Sequence, residues 1–129
     1  MMHVKLAIVL KMIFMNVMTN KSIRPFHLAF TVYDIKETKK WYTTTLGCSI
    51  GRESEKWVDF NLYGHQIVAH LTSKKQKNQT NKVDSFNVPT NHFGVILTIK
   101  KWNELANELK NKGVVFLIKP HIRFNNQKG

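Results

Sequence analysis

The chain has 129 residues, 43% of them hydrophobic, which is enough for one ordinary globular domain. Its formal charge is +12, but only three of its 20 basic residues are arginine and the lysines are scattered, so the composition does not favour a nucleic-acid partner. The single cysteine, Cys48, excludes an intrachain disulfide and a cysteine zinc cluster, and a reducing cytoplasm is its simplest setting.

Residues 1–21 are predicted to form an N-terminal extension outside the domain. The segment is apolar from Val4 to Met18, but Lys11 interrupts it and it is short for a transmembrane helix. It also lacks the small-residue cleavage site of a signal peptide. We therefore expect no membrane association, and a translation start at Met18 would explain the extension.

Residues 22–74 are predicted to form a first βαβββ module. The stretch FHLAFTV (26–32) is rich in β-forming residues and predicts a strand. A helix follows, in which Asp34 and Glu37 have the spacing of a capping box and Gly47 supplies the end. Three strands are predicted after it, at 48–53, 56–63 and 65–72, and Gly64 marks the tight turn between the last two.

Residues 75–90 are predicted to be a linker, because the stretch 73–87 is polar, without periodicity, and typical of a flexible connection. Residues 91–129 then repeat the first pattern. His92 opens the apolar stretch HFGVILTI, a helical pattern follows, and Gly113 precedes VVFLI, as Gly47 precedes CSI. His92 lies 65 residues after His27, at the equivalent position of the repeat.

Two modules related by a pseudo-twofold axis would bring His27 and His92 together. His70, near the end of the fourth predicted strand, is expected to approach His27 if that strand lies beside the first. Three converging imidazoles suit a divalent metal such as Zn, Ni, Fe or Mn. The alternative is that each is a half-exposed polar residue at a strand end. His65 and His121 are read as surface residues, and Asp59 and Glu53 as solvated strand positions.

Several motifs together resemble the glyoxalase/bleomycin-resistance/dioxygenase family, the vicinal oxygen chelate superfamily. They are FHLAFTVYD, WYTTTLG, WVDFNLYGHQIVAHL and the HFG that opens the second module, and the likeness covers about residues 23 to 125. The resemblance implies an α+β fold of two βαβββ modules that form a cup-shaped half-barrel, with a metal on its inner wall.

Carried onto this sequence, the resemblance makes His27 and His92 the first-strand ligands of the two modules. His70 stands at the fourth-strand ligand position, where many members have Glu. In members that use two histidines and a carboxylate, His70 would instead contact a ligand. The 43-residue step from His27 to His70, taken from His92, passes Gly129. The last two strands and their Glu ligand are therefore expected to be missing, as in a C-terminally truncated member.

The implied function is that of a metal-dependent enzyme which chelates neighbouring oxygens of a small molecule, a lyase or isomerase or an extradiol-type dioxygenase. Loss of the Glu would leave it inactive. The alternative is a metal-free drug-binding protein of the bleomycin-resistance type, with Trp57, Phe60 and Phe93 as candidates for its lining. A non-functional remnant is a third reading. A cytoplasmic homodimer without nucleic-acid or membrane partners is expected.

Overall fold

The computed structural model describes residues 23–74 and 77–122, which fall into two compact units divided after residue 76. The predicted N-terminal extension, residues 1–21, lies outside the described residues. No helix in the described ranges is long and apolar enough to span a bilayer.

The first unit is a βαβββ module, as predicted. Its strands are β1 (His27–Val32), β2 (Ser49–Glu53), β3 (Trp57–Leu62) and β4 (His65–Leu71). They form one sheet in the order β1-β4-β3-β2, in which β1 runs parallel to β4 and the other neighbours are antiparallel. Every predicted strand boundary lies within one residue of the observed one. The fold class is therefore confirmed for this unit.

The connection from β1 to β2 is helical, and local hydrogen bonds explain where it begins and ends. Helix α1 (Ile35–Lys40) starts at Asp34, whose Oδ1 accepts from the backbone N–H of Glu37 at 2.9 Å. It continues as a π-helical turn over Trp41–Thr45. Gly47, with a φ of 71°, reverses the chain into β2, a conformation that costs glycine little.

The core of the first unit lies between α1 with its π-helical turn and one face of the sheet. Tyr42, from the π-helical turn, stacks on Phe60 of β3 with ring centroids 4.7 Å apart, and it also contacts the ring of Phe30. Val58, Ile67 and Ala69 are fully buried on strands β3 and β4. Because side chains alternate along a strand, the residues between them point to the opposite face of the sheet.

The second unit contains a hairpin that the sequence did not predict. Strands β5 (Thr80–Val83) and β6 (Phe86–Pro89) pair antiparallel, so the predicted flexible connection is wrong for these residues. Asp84 and Ser85 form the turn with φ of 48° and 69°, and positive φ at both central positions gives a backbone twist that matches paired strands. Strand β5 is mostly polar and the turn lacks the usual glycine, so the only hydrophobic alternation of the hairpin is the short one of β6.

The two strands predicted on either side of the second helix are not assigned as strands. Helix α2 (Ile99–Asn111) is present, capped by Thr98, and it buries Trp102, Ala106 and Leu109. Residues 92–98 and 114–118 show the alternating burial of strands, but no described residue pairs with them in a ladder. The two strand predictions therefore stay predictions, because an alternating pattern becomes a strand only where a neighbour supplies hydrogen bonds, and the described residues supply none to these ranges.

Candidate functional site on the polar face of the first sheet

The face of the first sheet that lies opposite α1 carries most of its polar side chains, and we call it the polar face. Strand alternation and the register place there, among others, the six residues that matter for the site. They are His27, Trp57, Asp59, Asn61, Gln66 and His70. This arrangement separates the polar side chains from the aromatic core on the other face.

Four side chains join in a continuous hydrogen-bonded series across the sheet, which we call the polar chain. Arg52 Nε lies 3.2 Å from Asp59 Oδ2, and Gln66 Nε2 donates to the same oxygen at 3.1 Å. Gln66 Oε1 in turn lies 2.8 Å from His27 Nδ1. The polar chain therefore runs from β2 through β3 and β4 to β1, and it ends at a histidine that was predicted to be a metal ligand.

Asp59 is the buried member of the polar chain, with only 4% of its surface exposed. The prediction that it is a solvated strand position is wrong. A buried carboxylate needs a compensating charge and hydrogen bonds, and Arg52 and Gln66 supply them. Gly51 allows the close approach of β2, because a Cβ there would lie 3.3 Å from the Cβ of Asp59. Glu53, by contrast, is exposed and pairs with Lys39.

His27 is the exposed end of the polar chain on β1. Because Gln66 presents its oxygen to Nδ1, that nitrogen carries the proton and Nε2 keeps its lone pair. Metal-ligating histidines are commonly held in this way, with the second ring nitrogen donating to an acceptor. The geometry therefore leaves His27 Nε2 available to bind a metal or to accept a proton.

His70 does not lie beside His27 in the sheet. Strand β4 is next to β1, as expected, but the register pairs His27 with Gln66 and His70 with Thr31. At about 3.3 Å per residue, four residues separate the two histidines by about 13 Å along the strands. The expectation that His70 approaches His27 from the neighbouring ladder position is wrong, since Gln66 occupies that position. His70 instead stands opposite Trp57 of β3.

His92 belongs to the second unit, where the carbonyl of Pro89 lies 2.7 Å from its Nδ1. A carbonyl oxygen only accepts, so Nδ1 is protonated and Nε2 is again left with its lone pair. His121 has the same arrangement with the carbonyl of Lys119. His65 is the opposite case, because its Nδ1 accepts from the backbone N–H of Phe26 at 3.1 Å. The proton of neutral His65 is therefore on Nε2, which leaves no free lone pair for a ligand.

Metal ions in proteins are held by groups of several ligand side chains. Across residues 23–74 and 77–122, no group of three or more His, Cys, Asp or Glu side chains comes close enough to hold an ion. The tautomers of His27 and His92 nevertheless suit imidazole ligation. Each of these two imidazoles, taken by itself, thus has the donor chemistry of a divalent-metal ligand.

The aromatic residues that were candidates for a binding surface differ in their positions. Phe60 lies in the core on the helix side and is 1% exposed, so it is unavailable to a ligand in this structure and its candidacy is wrong. Trp57 is half-buried on the polar face, and the Arg52 guanidinium lies 6.0 Å from its ring centroid. Phe93 is half-buried in the second unit.

Cys48 and Tyr42 are buried groups in the core that are unsuited to chemistry at neutral pH. Burial raises the pKa of the Cys48 thiol to about 11, so the thiol stays protonated and weakly nucleophilic. Burial, with a smaller contribution from Cys48, raises the pKa of the Tyr42 hydroxyl well above its ordinary value. Both residues therefore have structural positions.

Three solved structures are similar to the chain, and the first of them supports the fold. A glyoxalase/bleomycin resistance protein/dioxygenase from Alicyclobacillus acidocaldarius is 25% identical, with a TM-score of 0.67 over 84% of this chain and 78% of that one. A protein from the mobile metagenome of V. Pseudocholerae is 24% identical, with a TM-score of 0.48 over 74% of this chain and 70% of that one. An integron cassette protein of V. Cholerae is 20% identical, with a TM-score of 0.49 over 74% of this chain and 71% of that one.

No curated protein sequence matches the chain. The model of one family, described as Glyoxalase/Bleomycin resistance protein/Dioxygenase superfamily, matches residues 24–129, which include both described units and the histidines discussed above. The α+β fold and the first neighbour agree with that match. The chain therefore belongs to the glyoxalase/bleomycin resistance protein/dioxygenase superfamily.

Proposed function

We propose that the chain binds a divalent metal through Nε2 of His27 and Nε2 of His92, and uses it to hold neighbouring oxygens of a small-molecule substrate. The observation that carries the proposal is the polar chain, which turns His27 so that Nε2 is free. His92 has the same available nitrogen, held by the carbonyl of Pro89. His70 remains a predicted further ligand, although the register makes Gln66 the nearer side chain to His27.

The metal would supply Lewis-acid chemistry to a bound substrate oxygen. The contribution of the protein is to fix the ligand nitrogen before substrate arrives. The buried Asp59 holds Gln66, and Gln66 holds the His27 ring, so little side-chain freedom is left to lose on binding. The metal selected would separate the two proposed reaction classes: iron with open coordination positions favours an extradiol-type dioxygenase, and zinc or nickel a lyase or isomerase.

Metal affinity of matched variants tests this proposal. Purified apoprotein is dialysed against Zn, Ni, Fe(II) or Mn, and the bound metal is measured for the wild type, His27→Ala and His92→Ala. We expect one metal per chain in the wild type. Each variant lacks one proposed ligand, so its metal affinity should be lower by at least about 10-fold. His65→Gln and His121→Gln are the controls, and both should bind like the wild type. Equal binding by all five proteins would contradict the proposal.

A metal-free binding protein of the bleomycin-resistance type is the second candidate. It is favoured by the lack of a three-residue ligand group among the described residues and by Trp57 with its adjacent Arg52 on the polar face. Such a protein would take up no metal in the dialysis experiment. It would still change its tryptophan fluorescence on adding a ligand, and Trp57→Phe would abolish that change.

We further propose a homodimer in the cytoplasm, where Cys48 stays reduced. Proteins with this fold commonly form dimers, and the second unit exposes apolar side chains that a second copy would cover. Val115 is 85% exposed, and Ile96 and Leu117 are about half exposed. Light scattering should give twice the chain mass for the wild type and the chain mass for Val115→Lys with Leu117→Lys. A monomeric wild type would contradict this proposal.

A further inference from the structure

We propose that Gln66 is a positioning residue which, oriented by the buried Asp59, fixes His27 in the tautomer protonated on Nδ1. The inference deepens the proposed function, because Nε2 is the nitrogen on which that proposal rests. It assigns roles to two residues of the polar face that are themselves not metal ligands. The argument follows the direction of each hydrogen bond along the polar chain.

The direction is set at Asp59. A carboxylate only accepts hydrogen bonds, and Oδ2 of Asp59 receives both Arg52 Nε and the side chain of Gln66. Asp59 is 4% exposed, so water cannot readily replace either donor. The charge of Arg52 keeps the carboxylate compensated, although the Arg52 side chain is itself largely exposed.

The second step is the amide of Gln66. The amide has one accepting end and one donating end, and the carboxylate requires the donating end. A rotated amide would set its oxygen against Asp59 Oδ2 and lose the hydrogen bond at a buried position, which is unfavourable. Gln66 Oε1 must therefore face His27, at the observed distance of 2.8 Å.

The third step is the imidazole. An accepting oxygen opposite Nδ1 requires a proton on Nδ1, so neutral His27 presents a bare Nε2. His65 provides a contrast within the same unit. It lies next to Gln66 in the sequence, but its Nδ1 accepts from the backbone N–H of Phe26, and its ring centroid lies 4.4 Å from that of Phe26 with the planes tilted by 35°. Two histidines at this end of the sheet are thus held in opposite tautomers.

Heteronuclear NMR of the histidine rings tests the inference without any metal. Spectra of apoprotein are recorded at about pH 8.5, where an ordinary histidine with a pKa of about 6.5 is neutral. In the wild type, we expect His27 to be protonated on Nδ1 and His65 on Nε2. A His27 protonated mainly on Nε2 would overturn the inference.

Three variants locate the cause. Gln66→Leu removes the acceptor, and His27 should then populate the Nε2-protonated form. Gln66→Glu combined with Asp59→Asn keeps one donor and one acceptor between these two strands and an acceptor beside Nδ1, so it should retain the wild-type tautomer, which separates hydrogen bonding from a general structural role. Asp59→Leu frees the Gln66 amide to rotate and should also mix the tautomers. His65 is the internal control, and its ring signals should not change in a folded variant.

Metal affinity gives a second readout. Gln66→Leu should bind metal about 10- to 100-fold more weakly than the wild type, while Gln66→Glu combined with Asp59→Asn should remain closer to it. An unchanged His27 tautomer in folded Gln66→Leu would overturn the inference, whatever the metal data show. The predicted tautomers in a wild type that binds no metal would support the positioning role of Gln66 and refute the proposed metal function. The two failures are therefore distinguishable.

Discussion

Replacing Tyr42 with phenylalanine should stabilise the protein. The Tyr42 side chain is 1% exposed, and its hydroxyl is buried without a hydrogen-bond partner among the described residues. A buried polar group left unsatisfied costs about 1–3 kcal/mol. Phenylalanine removes that cost and keeps the ring contacts with Phe30 and Phe60. We therefore expect the free energy of unfolding to rise by about 1 kcal/mol, taking the low end of this range.

Urea denaturation followed by circular dichroism measures this change, with an accompanying rise of about 3–5 °C in Tm. Tyr63→Phe is the matched control, because Tyr63 is 51% exposed and a surface substitution should change stability by no more than about 0.5 kcal/mol. Tyr42→Ala should lose about 3–5 kcal/mol, since it also removes the buried ring. A Tyr42→Phe variant less stable than the wild type by 1 kcal/mol or more, on the scale of a lost hydrogen bond, would show that the hydroxyl has a partner and refute the reasoning.

Three other predictions concern the same unit. Cys48 has its pKa raised by burial from 9.0 to about 11, so the folded chain keeps a proton that the unfolded chain loses. The contribution of Cys48 to the unfolding free energy should be fully present below pH 9 and should be lost as the pH rises toward 11. The urea midpoint of Cys48→Ala should therefore fall less steeply over this range than that of the wild type. Asp34→Ala removes the cap of α1 and should cost about 1 kcal/mol in urea denaturation, whereas Asp34→Asn should retain most of the stability. Gly47→Ala places a side chain at a φ of 71°. A Cβ there meets no atom within 4 Å. The Gly47→Ala variant should therefore lose about 1–2 kcal/mol of unfolding free energy through backbone strain alone. An unchanged Tm of this variant would contradict the prediction.

The first unit could be predicted closely because its sequence signals are local and agree with one another. Asp34 precedes a helical stripe, Gly47 follows it, and alternation marks β3 and β4. The hairpin of β5 and β6 was missed because β5 is mostly polar and the alternation of β6 is only four residues long. Residues 92–98 were predicted as a strand because they do alternate. Alternation reports which side of an extended segment is covered, but it does not report whether a neighbouring strand pairs with it.

The candidate site was predictable in part. The position of His27 at the start of β1 could be read from the repeat, and its place on the sheet face opposite α1 followed from alternation. The neighbour of His27 on β4 could not be predicted, because tertiary packing sets the register between these two parallel strands. The observed register places Gln66 opposite His27, four residues before His70. Asp59 was misread for a related reason. Its burial depends on Arg52 and on the close approach of Gly51 across β2.

Anomalous diffraction from crystals of the wild-type protein loaded with zinc tests the central claim most directly. The claim is that His27 and His92 present Nε2 to one metal ion. It predicts a single strong anomalous peak at about 2.0–2.1 Å from Nε2 of both histidines, the ordinary zinc–nitrogen distance. Gln66 Oε1 should remain on Nδ1 of His27 in that structure. A peak at His65 or His121 alone, or fully soaked crystals without a peak at His27, would contradict the account.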